Sequence, residues 1–274
     1  MAPLFADISK GPKDLLSDDF GTKMTVKAKV PAGPAVLTLE TERKSSSLSS
    51  KVSVKLASST ILPKGFSLDK FQMKPDGGNA LETSLTGAAP GLKLTFKGND
   101  GGAGDLGVEY KKGTLAASAV LDVVDLSKVS TSACFGVGAS SNIGGCASYS
   151  MSGKECALSS YSLGGSYSSG ALSVSAATGA KISDVNLYTL YKVKPALTVA
   201  TSTSHSADKP FGRFEVGCSY GGFAKVGVAK AKVNCDGLVS GAIVKKVDNY
   251  TVTAGATVSS ADLSTFKWGV GVSL

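Results

Sequence analysis

The chain holds few groups arranged for covalent chemistry. Its single histidine lies in Ser204-His205-Ser206-Ala207-Asp208. A Ser–His–Asp relay needs three groups brought together in space, and neighbours in one turn-like segment lack that geometry, so catalysis is not expected. Gly101-Gly102-Ala103-Gly104 lacks the Lys-Ser/Thr and the helix that follow a phosphate loop, and reads as a hairpin turn. Cys134, Cys146, Cys156, Cys218 and Cys235 are odd in number and show no C-x-x-C spacing. That argues against a disulfide framework and a zinc site, and no metal or cofactor is implied. The directed pattern belongs to lysine. Lys23, Lys27 and Lys29, Lys51 and Lys55, and Lys93 and Lys97 recur at even spacings, which on a strand puts each set on one face. The chemistry this allows is non-covalent, the attraction of anions.

Strands must position these lysines. From Thr22 onward the hydrophobic period is two. Met24, Val26, Ala28 and Val30 alternate with Lys23, Thr25, Lys27 and Lys29. Val52, Val54 and Leu56 alternate with Lys51, Ser53 and Lys55, and Leu92, Leu94 and Phe96 with Lys93, Thr95 and Lys97. At the end of the chain Phe266, Trp268, Val270, Val272 and Leu274 share one face. Turn signals such as Pro75-Asp76-Gly77-Gly78, Asn99-Asp100-Gly101-Gly102, Asp208-Lys209-Pro210 and Asp236-Gly237 separate about nineteen strand-like segments. Alternation is weakest from Ser130 to Thr178, where registers could slip by one residue. Before the strands, Leu4 to about Phe20 reads as the one amphipathic helix, with Leu4, Ile8, Leu15 and Leu16 on a face. Gly11-Pro12 should break or kink it in the middle, and Gly21 gives a flexible exit. The chain thus divides into a helical segment, residues 1–21, and one β-domain, residues 22–274.

Composition narrows the fold class. The 274 residues include 33 glycines and carry a net charge of +8, with a mean hydropathy of +0.13. No apolar run reaches the ~18 residues of a transmembrane helix, whereas a transmembrane strand needs only ~9–11 alternating ones. The first residues lack the n-region, h-region and cleavage site of a secretory signal. The positive charge points to an anionic partner, but dispersed lysines with few interleaved aromatics do not suit nucleic acid. Two solutions fit so many hairpins: a soluble β-array of structural or adhesive type, or a closed membrane barrel with water inside. Modest apolar side chains on one face, and Lys, Ser, Thr and Gly on the other, favour the transmembrane β-barrel.

Short motifs add a resemblance. Pro3-Leu4-Phe5-Ala6-Asp7-Ile8-Ser9-Lys10, Lys13-Asp14, Phe20-Gly21, Gly91-Leu92-Lys93, Ala231-Lys232-Val233-Asn234 and Lys267-x-Gly269-x-x-Val272-x-Leu274 occur in the order seen in the mitochondrial voltage-dependent anion channels, the eukaryotic porins, which the whole chain resembles. The resemblance implies a barrel whose first and last strands are parallel, closing between Met24–Val30 and Phe266–Leu274. It places the helix inside the pore, with Asp7, Lys10, Lys13 and Asp14 toward the pathway and Gly21 as hinge. It also implies voltage gating and weak anion selectivity, with the lysines above in the lumen. Chloride, phosphate, ATP and ADP would be the substrates, and Gly91, Leu92 and Lys93 a nucleotide contact. Lys267, Gly269, Val272 and Leu274 match the signal read by the mitochondrial outer-membrane assembly machinery, and homo-oligomers or larger assemblies in that bilayer are implied. Two departures stand out. Tyr220-Gly221-Gly222-Phe223 lacks an acidic residue usual after the tyrosine. Phe66 and Leu68 lead to Lys70, where some members carry a membrane-facing glutamate. The protein-translocase barrel of the same membrane is the alternative, but it is expected to have a long N-terminal extension and an acidic, partly apolar lumen, neither of which is read here.

Overall fold

A computed structural model describes residues 2–44, 47–57, 62–152, 155–209, 212–223 and 226–274. Pro210 of the expected Asp208–Pro210 turn lies outside them. Among the described residues the chain forms three 3-10 turns, Phe5–Asp7, Ala180–Ile182 and Leu263–Thr265, one α-helix, α1 (Lys10–Ser17), and nineteen strands. These are β1 (Met24–Ala32), β2 (Ala35–Lys44), β3 (Ser47–Leu56), β4 (Phe66–Met73), β5 (Ala80–Thr86), β6 (Leu92–Asn99), β7 (Gly104–Lys112), β8 (Leu115–Asp122), β9 (Lys128–Val137) and β10 (Ser141–Ser152). They continue as β11 (Glu155–Ser169), β12 (Leu172–Thr178), β13 (Asp184–Lys194), β14 (Leu197–Ser206), β15 (Phe214–Phe223), β16 (Gly227–Asn234), β17 (Leu238–Val247), β18 (Tyr250–Ser259) and β19 (Lys267–Ser273).

Strands adjacent in sequence are adjacent in the sheet, and β1 also pairs with β19. That pairing is parallel, Thr25 with Gly271, Val26 with Val272 and Lys27 with Ser273, and the Leu274 amide donates to the Lys27 carbonyl at 2.8 Å. An odd number of strands in an up-and-down meander forces this: the first and last run the same way. The result is a closed nineteen-stranded barrel without a free edge, as the sequence pattern implied.

The chain packs as two compact units, Met1–Asp7, Ala28–Glu40 and Ser50–Gly164 in one, and Ile8–Lys27, Thr41–Ser49 and Gly165–Leu274 in the other. In each, one sheet face is polar and carries part of the N-terminal segment, while the opposite face is apolar and bare. Val26 at 60% exposure, Ile143 at 60% and Trp268 at 53% lie on bare faces with Phe71, Phe96, Phe135, Leu187 and Ile243. The buried cluster is small, Leu15, Leu16 and Ala200 with Leu190 packed against it. Large side chains outside and a thin core under a helix invert the soluble pattern, and lipid is the solvent that such a surface requires.

Three local expectations are corrected or sharpened. Gly11-Pro12 does not kink the middle of a helix; Pro12 sits in the first turn of α1. Amides of a first turn have no intrahelical acceptor, so proline removes nothing there, and the residues before it form the separate 3-10 turn. On β4, strict alternation from Phe66 and Leu68 would set Lys70 on the apolar face. A bulge prevents it. The register steps from Leu68–Thr83 to Lys70–Glu82 against β5, and from Leu56–Leu68 to Val54–Phe71 against β3. Asp69 and Lys70 together oppose one residue and both turn to the polar face, where Lys70 lies 3.6 Å from Glu82. In the serine-rich stretch the β9–β10 register does not slip. β9 and β10 pair without interruption from Ser141–Val137 to Ser150–Lys128. Cross-strand hydroxyls pin the register, with Ser118 to Ser132 at 2.8 Å, Ser130 to Ser148 at 2.9 Å and Cys146 to Ser162 at 3.0 Å.

Deleting Asp69 removes the extra residue, and Lys70 then follows Leu68 in strict alternation, still opposite Glu82 on the polar face, with Phe71 and Met73 still on the apolar one. Urea unfolding in lipid vesicles should therefore show little loss of stability, whereas Phe71→Lys, which puts a lysine on the lipid face, should cost up to about 2–4 kcal/mol. A deletion variant as unstable as Phe71→Lys would remove this account of the bulge.

Candidate functional site

The site is the polar face with the N-terminal segment laid on it. All of the lysines singled out by spacing lie on this face. Lys23 is 2.6 Å from Glu42, Lys51 is 2.8 Å from Glu40 and Lys93 is 4.0 Å from Asp69. Lys27 is half-buried and Lys29 exposed. Lys55 lies opposite the bulge of β4, and Lys97 stands between Glu82 and Asp105 on its neighbours. A cavity of about 380 Å³ in the first unit is bounded by Leu4 and Ala6 on one side and by Asp69, Glu82, Lys93, Lys97, Asp105 and Glu109 on the other. Cations and carboxylates interleave there, so the field around Lys93 and Lys97 is largely neutralised over one Debye length, about 8–10 Å.

Gly91, Leu92 and Lys93 do not act as one unit. Gly91 has φ +82° and so closely abuts the Lys111 carbonyl that no Cβ fits; its identity is fixed by the turn into β6. Leu92 pairs with Tyr110 on the apolar face. Only Lys93 reaches the polar one.

The N-terminal segment is held at several points. The 3-10 turn rests on β9 and β10, with Phe5 beside Gly144. Ser9 is buried and accepts a hydrogen bond from Ser175 at 3.1 Å. Leu16 packs so tightly on Gly217 that a Cβ there would sit 2.8 Å from its Cδ2. Asp7 and Lys10 fall in different elements, and no ion pair joins them among the described residues. Lys13 lies over the Tyr188 ring at 4.9 Å. Asp14 is half-buried, and its carbonyl accepts the Asp18 amide at 2.9 Å.

The strongest contacts are ones that spacing did not single out. The last carbonyls of a helix have no internal partner and carry partial negative charge. Lys232 on β16 meets one of them, donating from Nζ to the Leu16 carbonyl at 2.7 Å. The same ammonium lies 2.9 Å from Glu215 and 4.9 Å from the centre of the Phe20 ring. Beside it Lys230 binds Asp19 at 2.6 Å, and Asp19 has the left-handed φ of 75° common just past a helix end. The sequence signal existed in the alternation of Lys230 and Lys232 with Ala229, Ala231 and Val233, but nothing local says that a helix more than two hundred residues away ends over them.

Beyond the helix the backbone lies on two wall glycines that pair across β18 and β19, Gly255 and Gly269. A Cβ on Gly255 would sit 2.7 Å from the Gly21 carbonyl, and one on Gly269 would overlap the Lys23 backbone. Gly269 is therefore needed for close approach. Val272 of the same motif stands on the apolar face between Val252 and Val26, and Lys267 begins β19. Asp262 shapes the turn before this strand. Hydrogen bonds from the Ser264 hydroxyl and amide hold its carboxyl below the usual aspartate range.

Lys232→Met leaves the Leu16 carbonyl and Glu215 without their cation. Hydrogen bonds to charged groups contribute about 1.5–3 kcal/mol, so amide exchange in residues 15–20 should quicken at least about tenfold, and Lys232→Arg should restore most of the protection. Unchanged exchange in the methionine variant would mean that apolar packing alone holds the helix.

A closed sheet with a bare apolar exterior face and a charged face bearing one short helix is what a channel wall requires. Comparison with known proteins agrees: the family model described as eukaryotic porin matches residues 1–269. No curated protein gives a significant match. With nearly the whole chain matched and the nineteen-stranded closure in place, the chain belongs to the eukaryotic porin family, β-barrel channels for small ions and metabolites across a lipid bilayer.

Proposed function

We propose that the protein is a voltage-gated, weakly anion-selective diffusion channel of the mitochondrial outer membrane that passes small ions and metabolites, ATP and ADP among them. The observation that carries this reading is the two-faced closed sheet: every lysine singled out by spacing is on the polar face, and the large apolar side chains are on the other. A water-filled passage lined by excess positive charge concentrates anions and lowers their entry barrier. Selectivity is weak because Lys23, Lys51 and Lys93 already face Glu42, Glu40 and Asp69. The net charge of +8, with Lys29 exposed on β1, supplies the remaining bias. Lys93 is the residue of Gly91-Leu92-Lys93 positioned to touch a passing nucleotide.

Gating in this reading acts on the N-terminal segment, whose Asp7, Lys10, Lys13 and Asp14 are charges inside the field across the membrane. One elementary charge moved through the full potential is worth about 2.3 kcal/mol per 100 mV. Gly21 is the exit from that segment, and the Lys232 and Lys230 contacts oppose its displacement. The mitochondrial location is supported by the match of Lys267, Gly269, Val272 and Leu274 to the insertion signal.

Planar-bilayer recording across a KCl gradient tests the proposal. A large conductance should appear, with a reversal potential on the anion side that shrinks as salt rises and closure at both signs of voltage. Lys27→Glu with Lys29→Glu should move the reversal potential toward cations. Absence of conductance in correctly folded protein overturns the reading.

A further inference from the structure

A cavity of about 760 Å³ in the second unit lies at one end of β13–β16, away from the helix clamp and from every residue given a role above except Glu215. Its construction starts from the connection between β14 and β15. The Ser204 amide donates to the Arg213 carbonyl at 2.8 Å, the Gly212 amide to the Ser204 carbonyl at 2.9 Å, and the Ser206 amide to the Lys209 carbonyl at 3.1 Å. The Lys209 amide in turn donates to the Ser206 hydroxyl at 3.1 Å. Gly212 is so close to β14 that a Cβ would sit 2.8 Å from the Ser204 carbonyl. These bonds tie the backbones of Lys209 and Arg213 to the strand end, and both residues line the cavity.

The charges of the cavity are not equivalent. Its carboxylates are engaged. Asp184 accepts from the Ser183 hydroxyl and from the Asn186 side-chain amide, each at 2.7 Å. Glu215 is neutralised by Lys232 at 2.9 Å, and Asp236 is tied to Asn234. The Lys209 ammonium and the Arg213 guanidinium have no ion pair among the described residues. Only Arg43 and Arg213 in the chain are arginines. Lysine suffices for a diffuse positive field, whereas the planar fork of arginine matches phosphate oxygens in two parallel hydrogen bonds. The Asp184 carboxylate, the Asn186 amide oxygen and the Ser202 hydroxyl also line the cavity and present acceptors suited to hydroxyl or amino hydrogens. The volume falls within the range of small-metabolite sites, about 300–1,000 Å³.

We propose that this cavity is a binding site for a phosphorylated, hydroxyl-bearing metabolite, its phosphate held by Arg213 and Lys209 and its hydroxyl end turned toward Asp184, Asn186 and Ser202. The site rests on the channel reading only in that its ligands are solutes that such a channel passes. It gives the wall one place where a solute pauses in a defined orientation, distinct from Lys93.

The test is a calorimetric titration of the folded, detergent-solubilised protein with ribose 5-phosphate and, separately, inorganic phosphate. Ribose 5-phosphate should bind saturably at one site, and inorganic phosphate, lacking the hydroxyl end, at least about tenfold more weakly. Arg213→Gln combined with Lys209→Gln should weaken ribose 5-phosphate at least about tenfold, the effect of losing one good charge-assisted contact or more. Arg213→Lys should lose less, and Lys111→Gln, which removes a cation paired with Glu109 in the first unit, should change nothing. Absent or unsaturable binding, equal affinity in the double variant, or an equal loss in Lys111→Gln would overturn the site, the last because it would mean diffuse attraction by the whole face. Bilayer conductance separates this from the channel reading. A double variant that conducts but no longer binds supports the site, and a protein that binds as stated but does not conduct retains the site and loses the channel.

Discussion

The constraint on which everything else depends is that no backbone amide or carbonyl can be left unpaired in a bilayer. Each one costs several kcal/mol in hydrocarbon, so a sheet that crosses a membrane must close. With nineteen strands, closure can be made only by a parallel pair, and the short β1–β19 register with the Leu274-to-Lys27 bond makes it. The side chains near this seam are shaped by that need. Gly269 and Gly271 remove bulk from the polar face where the chain passes from the helix into β1, while Val26, Val272 and Val252 fill the apolar one. The exit from the helix and the closing of the barrel are thus one structural problem, solved by the same few residues.

Once closure is fixed, the polar face can hold charge because charge is compensated locally. Lys23, Lys51, Lys70 and Lys93 each have a carboxylate on a nearby strand, and the helix end has Lys232 and Lys230. Isolated cations facing one another in a confined space would repel and would be costly to gather. Interleaving allows a hydrated wall with a small net excess, and a small excess gives a preference for anions without trapping them. On β8 to β10, where the charged residues are only Asp122 and Lys128 at strand ends, hydroxyls take over and hold register by Ser–Ser hydrogen bonds.

The bulge on β4 shows how one residue corrects a conflict between pattern and solvent. A lysine in phase with Phe66 and Leu68 would be intolerable in lipid. One extra residue shifts the phase and gives Lys70 the partner Glu82. Alternation by itself puts Lys70 outside, because periodicity presumes an unbroken ladder, and bulges are set by both neighbouring strands together.

The sequence by itself determined the strand period, the placement of Lys23 to Lys97 on one face and a count of about nineteen strands, which follow from local alternation; the parallel closure was implied by the family resemblance, and the sheet makes it. The need for glycine at Gly91 is different, because the Lys111 carbonyl against it is a cross-strand contact. Only the tertiary structure decided where the helix begins, since proline is harmless in a first turn and disruptive one turn later. Only it decided which lysines receive the helix end and how the backbones of Lys209 and Arg213 are tied to the end of β14. The helix-end contacts join residues far apart in the chain, and their geometry exists only after the sheet has closed and brought them into register.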